Sequence, residues 1–581
     1  MKQMKEIQDA INNGDYERVE MLLQNYVKGT QQYDDITAVL SAAVREHYED
    51  RNGMWDAVRK GLLYNCRNYE LYLMLGNYYL AQNLYQSFLC YENALFHCNI
   101  SEDRAVIENL MNQFRKQYSV SVKKVSIVIL SYDLLEYTKA CIESIRGTTP
   151  DSAREIVVVD NGSKDGSVEW LREQPDIILV ENKENRGFPG GCNQGIRASS
   201  EDSDIFLLNN DTILPENALF WLRMGLYEDE KNGSAGSVSN CAGGQIILSG
   251  TNNVSDMLRF GEQTNIPMRY PYEDRVFLVG FALLIKRSVL NRTGLLDERF
   301  FPGNNEDVDL GLRILKAGYK NILCKNSYIL HFGSRTFEKN IEEYQAAAGR
   351  NRKKINEKWG FDVNYYLYPG IDLIDQIKEP VEKPVRILDV GCGCGASMGY
   401  VRGIFPAAQT YGIEIIPQLA QLASCMGEVL CGDVEKEELP WSEEYFDYIL
   451  MGDILEELAE PEKVLKRLRK HLKKDGSIIV RVSNMKHYSV ILPLLRWGRF
   501  SYGDAGILDK THVKMYTDVE ICRLVIRSGY MVETLTGKRA AGGPGEEEDR
   551  LLDGLQKMMG LESKETFLAY QYIIRAKRDK I

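Results

Sequence analysis

Acidic side chains in this sequence stand directly after short apolar runs, which is where a doubly wound sheet places its ligand site. Asp160 ends the run EIVVVD and is followed by Asn161 and Gly162, and Asp211 comes just after the run DIFLLN. A carboxylate at the end of a strand can accept a hydrogen bond from a nucleotide base, while glycines let backbone amides approach a ligand. Asp-Asn-Gly is also a common turn for purely conformational reasons, so this motif alone is weak evidence.

A further acidic cluster lies in FFPGNNEDVDLGLR, where Glu306, Asp307 and Asp309 crowd the start of a predicted helix. Acids favour the positive end of a helix dipole, so a solvated helix start is one interpretation. Acid–base chemistry is the other, because carboxylates this close cannot all ionise easily and the pKa of one of them rises. A carboxylate of that kind can take a proton from a substrate hydroxyl.

A second set of such residues lies in the last third of the chain. VRILDVGCGCGAS forms a glycine-rich strand-to-helix turn, TYGIEI ends its strand on an acid about 20 residues later, and CGDVE supplies another acid. Glycines let the protein backbone approach a ligand closely, and the two later acids can bind ribose hydroxyls and an adenine amine. The residues concerned are Asp389, Gly391, Gly393, Gly395, Glu414 and Asp433.

The elements that must position these residues follow from hydrophobic patterns. Apolar residues near the N-terminus occur only at helical spacing, which predicts an all-helical region. From Val125, short β-branched runs alternate with helices and predict a parallel sheet with crossover helices, and a second such series begins at VRILDV. We therefore predict an α/β multidomain protein with a helical domain over 1–122, α/β domains over 123–360 and 384–581, and a proline-containing linker over 361–383.

Bulk properties exclude several classes of protein. The net charge of −12 argues against a nucleic-acid binder, which needs a basic surface to release counterions. The 12 cysteines lack paired spacings, which indicates reduced thiols in a cytosol. No stretch approaches the ~20 apolar residues of a membrane span, so we expect a cytoplasmic protein without an integral membrane segment, at most peripheral at the inner membrane face.

Taken together, and with NRGFPGGCNQGI between them, the motifs of residues 123–360 resemble the family 2 glycosyltransferases of the GT-A fold, in particular their rhamnosyltransferase-like branch. The resemblance implies inverting transfer from a nucleoside-diphosphate sugar, with Asp307 as the base. It implies a bound Mg²⁺ or Mn²⁺ on Asp211 and His331, although Asn209 replaces the first acid of the family's Asp-x-Asp motif. The absence of a Gln-x-x-Arg-Trp motif favours the addition of one or a few sugars over processive synthesis.

The same resemblance implies further site residues. Glu306 and Asp309 would hold the acceptor or raise the pKa of Asp307. The residues implied for nucleotide-sugar binding are Tyr132, Asp160, Asn161, Asn185, Asn193 and Asn210.

Residues 384–581 resemble class I methyltransferases of the type 11, 12 and 23 families, which have a Rossmann-like fold. The resemblance implies that S-adenosylmethionine binds to the acids and glycines named above. Glu457 stands where many relatives have a histidine, which leaves the base for methyl transfer open. His487 and His512 are candidates, and either could equally be a capping or packing histidine.

The N-terminal region resembles a tetratricopeptide repeat, with Tyr72, Gly76, Tyr91 and Ala94 in the pattern. An unrelated helical bundle that supports the next domain is the alternative.

These resemblances together predict a bifunctional transferase. The first α/β domain would transfer a sugar, with dTDP-rhamnose as a candidate donor, to a surface glycan or a glycoprotein such as flagellin, and the second would methylate the glycan. A binding scaffold with decayed active sites, or an active methyltransferase whose first α/β domain only holds sugar, are the alternatives. We also expect the two α/β domains to fold independently.

Overall fold

The structure is a computed structural model that describes residues 2–30, 33–333 and 341–579. The chain divides into two compact units, Met1–Val363 and Asn364–Ile581. The first unit contains the predicted helical region and the first α/β region, and the second unit contains the other α/β region. This confirms the predicted fold class. The finer division into domains stays a prediction.

Helix pairs build the N-terminal part of the first unit. The helices are α1 (Lys2–Asn12), α2 (Tyr16–Thr30), α3 (Asp35–His47), α4 (Arg51–Tyr64), α5 (Tyr69–Leu80), α6 (Leu84–His97) and α7 (Ser101–Tyr118). Side-chain caps start several of them; Asn83, for example, accepts hydrogen bonds from the backbone N–H groups of Tyr85 and Gln86. Gly76 of α5 lies against the ring of Tyr91 of α6, so the absent side chain lets the paired helices approach closely. Whether these pairs are tetratricopeptide repeats stays open.

The helical region and the first α/β region share a hydrophobic core. Helix α11 (Ala218–Leu226) is buried along its whole length, and its Trp221 lies in one apolar cluster with Leu75 and Phe88 of the helical region. An ion pair between Arg223 and Glu92 joins the same surfaces. The predicted boundary at residue 122 therefore falls inside a compact unit.

A twisted sheet forms the centre of the first unit. Its strands are β1 (Val125–Ser131), β2 (Arg154–Asp160), β3 (Ile177–Glu181), β4 (Asp204–Asn209), β6 (Asn232–Val238), β7 (Tyr272–Arg275), β8 (Ala282–Ile285) and β9 (Lys320–Tyr328), and β5 (Thr212–Ile213) pairs separately with β10 (Leu330–His331). The other helices are α8 (Leu135–Thr148), α9 (Ser167–Arg172), α10 (Gly187–Ala198), α12 (Val254–Thr264), α13 (Arg287–Thr293), α14 (Glu306–Lys316) and α15 (Ile341–Trp359).

The order of the large sheet is β3-β2-β1-β4-β8-β6-β9-β7. Strands β1 to β4 are parallel, as expected, but β8 runs antiparallel to β4 and β6, and β7 antiparallel to β9. The predicted parallel arrangement is confirmed for β1 to β4, and the remaining strands extend the sheet with mixed directions. Strand β8 starts beside the carboxyl end of β4, where Ala282 pairs with Leu208. The residues just before β8 therefore lie at the edge of the sheet where parallel strands place a ligand.

The second unit contains a seven-stranded sheet in the order β13-β12-β11-β14-β15-β17-β16. Its strands are β11 (Arg386–Val390), β12 (Gln409–Glu414), β13 (Glu428–Cys431), β14 (Phe446–Gly452), β15 (Leu472–Ser483), β16 (Tyr530–Arg539) and β17 (Ala569–Arg578). Its helices are α17 (Ile371–Ile374), α18 (Ala396–Ile404), α19 (Pro417–Ala423), α20 (Pro461–His471), α21 (Tyr488–Trp497), α22 (Asp518–Arg527), α23 (Glu546–Met559) and α24 (Glu565–Leu568), and α16 (Val363–Tyr366) precedes them. Strand β17 is antiparallel to both of its neighbours, whereas the other pairs are parallel.

The segment predicted as a linker contributes to this unit. Leu373, Ile374 and Ile377 are buried in one cluster with Val385, which precedes β11, and Ile387 of β11. The prolines and charges of the segment conceal this apolar contact in the sequence. Most of residues 361–383 therefore belongs to the second unit. Among the helices of the described residues, none is long and apolar enough to cross a membrane.

The close contact of Gly76 with Tyr91 gives a prediction for stability. In Gly76→Ala the added methyl group overlaps the Tyr91 ring, and we expect a loss of about 1–3 kcal/mol. Gly29→Ala in α2 meets nothing within 4 Å and should stabilise the helix by about 0.5–1 kcal/mol. Calorimetry of both variants measures the difference, and equal melting temperatures would show that α5 and α6 do not pack as described.

Candidate active sites

The ends of three parallel strands bring the predicted residues of the first unit to one edge. In the sheet register Ser131 lies beside Asp160, and Leu130 lies beside Asn209. Tyr132, which directly follows β1, is partly buried at this edge. The parallel arrangement thus places the predicted donor-binding residues of different strands next to one another.

Asp160 is the buried acid at the end of β2. Its Oδ1 accepts hydrogen bonds from the backbone N–H groups of Gly162 at 3.0 Å and Ser163 at 2.9 Å. Its Oδ2 is also buried, and in the described part of the chain it has no hydrogen-bond partner. Because a buried carboxylate oxygen normally has a donor, this atom is suited to a donor from a ligand.

The asparagines predicted to bind the nucleotide sugar mainly hold loops together. Asn161 donates to Asn185 Oδ1 at 2.9 Å and accepts from the Arg186 N–H at 3.0 Å. Asn193 is buried and donates to the Leu296 carbonyl and to Glu298, both at 2.8 Å. The direct ligand contact predicted for Asn193 does not fit this geometry, because its amide is used inside the protein.

A polar cluster lies beyond the end of β4. Asp211 Oδ1 is 3.2 Å from His331 Nε2, and the Asn209 amide is 3.4 Å from the same nitrogen. On its other side His331 Nδ1 is 2.6 Å from the Cys241 carbonyl oxygen, which can only accept. Nδ1 therefore carries the proton. Burial lowers the pKa of His331, but the contacts with Asp211 and Cys241 more than offset this and raise it. The neighbouring Asn210 amide donates to Thr138.

These residues fit a divalent metal ion with few protein ligands. A metal-binding histidine typically donates its second N–H to a carbonyl, as His331 does, and this leaves Nε2 to face the carboxylate of Asp211. Within the described residues no group of three or more His, Cys, Asp or Glu side chains forms a metal cluster. Any metal held here must complete its coordination with oxygens from the substrate or water.

Two of the three acids at the start of α14, Glu306 and Asp309, are buried. Glu306 is buried, and its Oε2 has no hydrogen-bond partner in the part of the chain that the structure describes. Burial and the adjacent Asp307 raise the pKa of Glu306 well above its usual value. Burial also raises the pKa of Asp307, but hydrogen bonds from the backbone N–H groups of Gly280 and Val308 oppose the rise. Asp307 is thus the member of the pair that carries the negative charge more easily.

Asp309 has a different role from the one predicted. It is completely buried, and its Oδ2 accepts from Arg313 at 2.8 Å while its Oδ1 is 2.7 Å from Lys358 Nζ and accepts from the Trp359 indole at 3.1 Å. Two cations and an indole occupy both oxygens. Asp309 therefore ties α14 to α15 and does not hold an acceptor.

The dipeptide Gly280–Phe281 connects the acidic pair with the polar cluster. The Gly280 N–H donates to Asp307 at 3.1 Å. The Phe281 carbonyl accepts from the Asn209 N–H at 2.8 Å, and its ring stacks on His331 with centroids 5.1 Å apart. One turn of chain before β8 thus positions both groups of side chains.

The second unit contains a cavity of about 380 Å³ at the carboxyl ends of its parallel strands. All of the residues predicted to bind S-adenosylmethionine, apart from Gly395, line it. Gly391 and Gly393 have φ of 75° and 54°, in the left-handed region that favours glycine. A side chain at Gly391 would meet Ile454, and one at Gly393 would meet Tyr366. The volume is that of a small-molecule site.

Burial changes the ionisation of the acids in this cavity. Burial and the nearby Glu414 raise the pKa of Asp389 to about 7. Glu414 is also buried, which raises its pKa, and it accepts hydrogen bonds from the backbone N–H groups of Gly393 at 2.9 Å and Ile416 at 2.8 Å. Asp433 is more open, and its contact with Lys436 at 2.7 Å lowers its pKa.

The candidate bases for methyl transfer lie in different places. His487 is 3% exposed and caps α21 by accepting from the Ser489 N–H, and burial lowers its pKa to about 4. It is a capping histidine. His512 lies near Glu457, but of the two only Glu457 lines the cavity.

Comparison with known proteins finds a similar family in each of the two units. Residues 126–294 match the family model of glycosyl transferase family 2, and residues 388–480 match that of the methyltransferase domain. The chain carries a family 2 glycosyltransferase domain and a methyltransferase domain. The predicted resemblances to both families are thereby confirmed.

Similar proteins cover parts of the chain. An uncharacterised protein, y4gI, of Sinorhizobium fredii is 27% identical over 40% of this chain, and the glycosyltransferase AglE of Haloferax volcanii is 27% identical over 34%. The chain spans 27% and 62% of the lengths of these two relatives. A methyltransferase from Archaeoglobus fulgidus, whose crystal structure is known, is 17% identical over 34% of this chain and 88% of its own, with a TM-score of 0.25.

Several cavity residues of the methyltransferase domain escaped the sequence analysis. Arg481 on β15 lines the cavity and joins Asp453 to Asp372 by ion pairs. The tyrosines of YYLYPG, Tyr365 among them, lie at the same cavity. Asp453 follows β14 directly, so the strand-end rule could have found it. An arginine within the apolar run IIVRVS is a weaker signal.

The raised pKa of Asp389 predicts how pH affects the methyltransferase domain. Between its unfolded value of about 4 and about 7 the folded state binds the extra proton, so the free energy of unfolding falls as pH rises through this window. Asp389→Asn should remove this loss, which amounts to up to about 4 kcal/mol. Thermal unfolding from pH 4 to 8 measures it, with the exposed Asp475→Asn as control. Parallel pH profiles for wild type and Asp389→Asn would contradict the burial argument.

Proposed function

We propose that the chain is a bifunctional transferase whose glycosyltransferase domain transfers a sugar to a glycan with inversion and whose methyltransferase domain methylates that glycan. The observation that carries the first activity is the position of Gly280–Phe281, which holds Asp307 on one side and Asn209 and His331 on the other. Such a transfer needs a base on one side of the reacting carbon and a cation site on the other. This dipeptide sets the distance between the two.

The donor is a nucleoside-diphosphate sugar. The buried Oδ2 of Asp160, which has no partner among the described residues, suits a base N–H, as offered by uracil or thymine, and Tyr132 stands at the same edge of the sheet to flank the base. Asn161 and Asn185 shape the loop beside the donor through their mutual hydrogen bond. A dTDP-sugar such as dTDP-rhamnose is the candidate that agrees with the family branch.

Asp307 acts as the general base. As the acceptor oxygen attacks the anomeric carbon, its proton moves to the Asp307 carboxylate, and the bond to the diphosphate breaks with its electron pair on the leaving oxygen. Burial and the adjacent Asp307 raise the pKa of Glu306, which favours its neutral form and so disfavours a second negative charge beside Asp307. Mg²⁺ or Mn²⁺ held by Asp211 and His331 would neutralise charge on the diphosphate.

The second activity rests on the glycine-lined cavity, where S-adenosylmethionine is the methyl donor. Linking two enzymes in one chain raises the effective concentration of the product of one for the other. The helical region, if built of repeats, offers a surface for a glycan-bearing protein acceptor, of which flagellin is one example.

Labelled substrates test both activities together. The full chain is incubated with radiolabelled UDP-, dTDP- and GDP-sugars and with methyl-labelled S-adenosylmethionine. Transfer of both labels to a glycan is expected. Neither label transferred would favour a binding scaffold, and methyl transfer alone would favour a first domain that only holds sugar.

Replacing the base tests its assignment. Asp307→Asn should lower sugar transfer by ~100-fold or more, the usual contribution of a positioned base, because the amide cannot take the proton. Donor affinity, measured by calorimetry, should stay unchanged. Asp309→Asn is the control from the same helix. It should lower the stability of the protein, whereas the turnover of the folded fraction at saturating donor should stay unchanged. Wild-type turnover in Asp307→Asn would contradict the assignment.

Replacing the metal-binding acid tests the cation site. Asp211→Ala should weaken donor binding in the presence of Mn²⁺ and abolish its dependence on Mn²⁺, because one protein ligand is lost. Asn209→Asp restores the first acid of the family motif and should increase the affinity for Mn²⁺. A Mn²⁺ response in Asp211→Ala equal to that of wild type would place the metal elsewhere.

A further inference from the structure

The carboxylates that line the methyltransferase cavity differ in their partners. Those whose two oxygens are both engaged by cations or N–H donors are Glu414, Asp433, Glu435 and Asp453. Asp389 lies near the end of β11, just before the glycine turn, and close enough to Glu414 for that acid to raise its pKa. Among the described residues that line the cavity, Glu457 is the remaining carboxylate.

Glu457 faces a small polar cluster and is open to solvent at the cavity. Its Oε1 lies 3.2 Å from Thr511 Oγ1, a hydroxyl that is also 2.8 Å from Asp509 Oδ1. The Thr511 hydroxyl has one proton to donate to these two carboxylates, so Glu457 can still accept a hydrogen bond. Surrounding protein atoms exclude part of the water and raise its pKa; Asp509 and Glu414 add to the rise, while Thr511 and His512 oppose it.

The chain that presents this cluster is held firmly. The backbone N–H groups of Val513 and Lys514 donate to the carbonyl of Glu456 at 2.8 and 2.9 Å. His512 Nδ1 donates to the Ile507 carbonyl at 3.1 Å. The residue next to Glu457 thus anchors the segment that bears Thr511 and His512, and this fixes the surroundings of the carboxylate.

The rim of the cavity offers a surface for a sugar. Tyr365 and Tyr368 line the cavity and are 62% and 57% exposed. Large apolar side chains this open at the mouth of a cavity are suited to contact a ligand. Tyrosine combines an apolar ring, which can lie on the C–H face of a sugar, with a hydroxyl that can hydrogen-bond to it.

We propose that Glu457 is the catalytic base of methyl transfer and that the acceptor is a neutral hydroxyl, such as one on a sugar ring. This inference rests on the proposed methylation of a glycan. The acceptor oxygen forms a bond to the methyl carbon, and the carbon–sulfur bond of S-adenosylmethionine breaks with its electron pair on sulfur. The acceptor proton moves to the Glu457 carboxylate, so the charge of the sulfonium is balanced by the loss of the carboxylate charge.

The experiment uses the full chain and the variants Glu457→Gln and Glu462→Gln. Glu462 is the matched control because it lies on the surface of α20, paired with Lys466, and outside the cavity. Affinity for S-adenosylmethionine is measured by calorimetry. Methyl transfer is measured from pH 5 to 9 with a panel of methyl glycosides and with glycan made by the same chain from UDP-, dTDP- and GDP-sugars.

We expect Glu457→Gln to keep the affinity for S-adenosylmethionine within about two-fold and to lose methyl transfer by ~100-fold or more. The rise of the wild-type rate with pH, as the carboxylate loses its proton, should disappear in Glu457→Gln and persist in Glu462→Gln. Glu457→Asp should recover part of the rate.

Two outcomes would overturn the inference and leave the proposed function intact. One is a Glu457→Gln variant with the wild-type rate and pH profile. The other is a ten-fold loss of affinity for S-adenosylmethionine with an unchanged rate at saturation, which would make Glu457 a binding residue. Wild-type protein that binds S-adenosylmethionine but methylates no glycoside or glycan would refute the proposed methylation, and the base assignment with it.

Discussion

The parallel pairing of β1 with β2 and β4 is the constraint on which the first site depends. Parallel strands end at one edge of a sheet, so Asp160 and Asn209 both lie at that edge, on either side of β1, although 49 positions separate them in the sequence. The antiparallel β8 then begins at that same edge and brings Gly280–Phe281 to it. Through its backbone this dipeptide positions Asp307 and the neighbours of His331.

Buried carboxylates are common to both sites. Glu306 and Asp160 each keep a buried oxygen without a partner in the described structure, and Asp389 has a pKa raised to about 7. A buried carboxylate oxygen without a hydrogen-bond partner lowers the stability of the folded protein. By contrast, Asp309 is equally buried but fully paired, and it stabilises the helix that carries Asp307.

The helical region and the glycosyltransferase domain form one compact unit. Trp221 and its helix are buried beneath it, and the Arg223–Glu92 pair is removed from water. The region therefore completes a core that the α/β part alone would expose. An acceptor bound to the helices would be held on the same compact unit as the transfer site.

The sequence by itself determined the class of the protein and most strand-end residues. Apolar runs followed by acids or glycines predicted Asp160, Asp211 and Glu414, because strand periodicity and the chemistry of the run's end are local properties. The resemblance of the two motif sets to known families likewise predicted both enzyme families. These features need no knowledge of which distant residues meet.

Only the tertiary structure decided the partners. Whether a carboxylate is free or paired depends on residues far away in the chain: Lys358 and Trp359 occupy Asp309, and Leu296 and Glu298 occupy Asn193. The direction of β8 and the burial of Leu373 in a segment that reads as a linker are decided in the same way. Hydrogen bonding and burial depend on how the chain packs. A single sequence shows which groups can form hydrogen bonds or be buried, but not which of them come together.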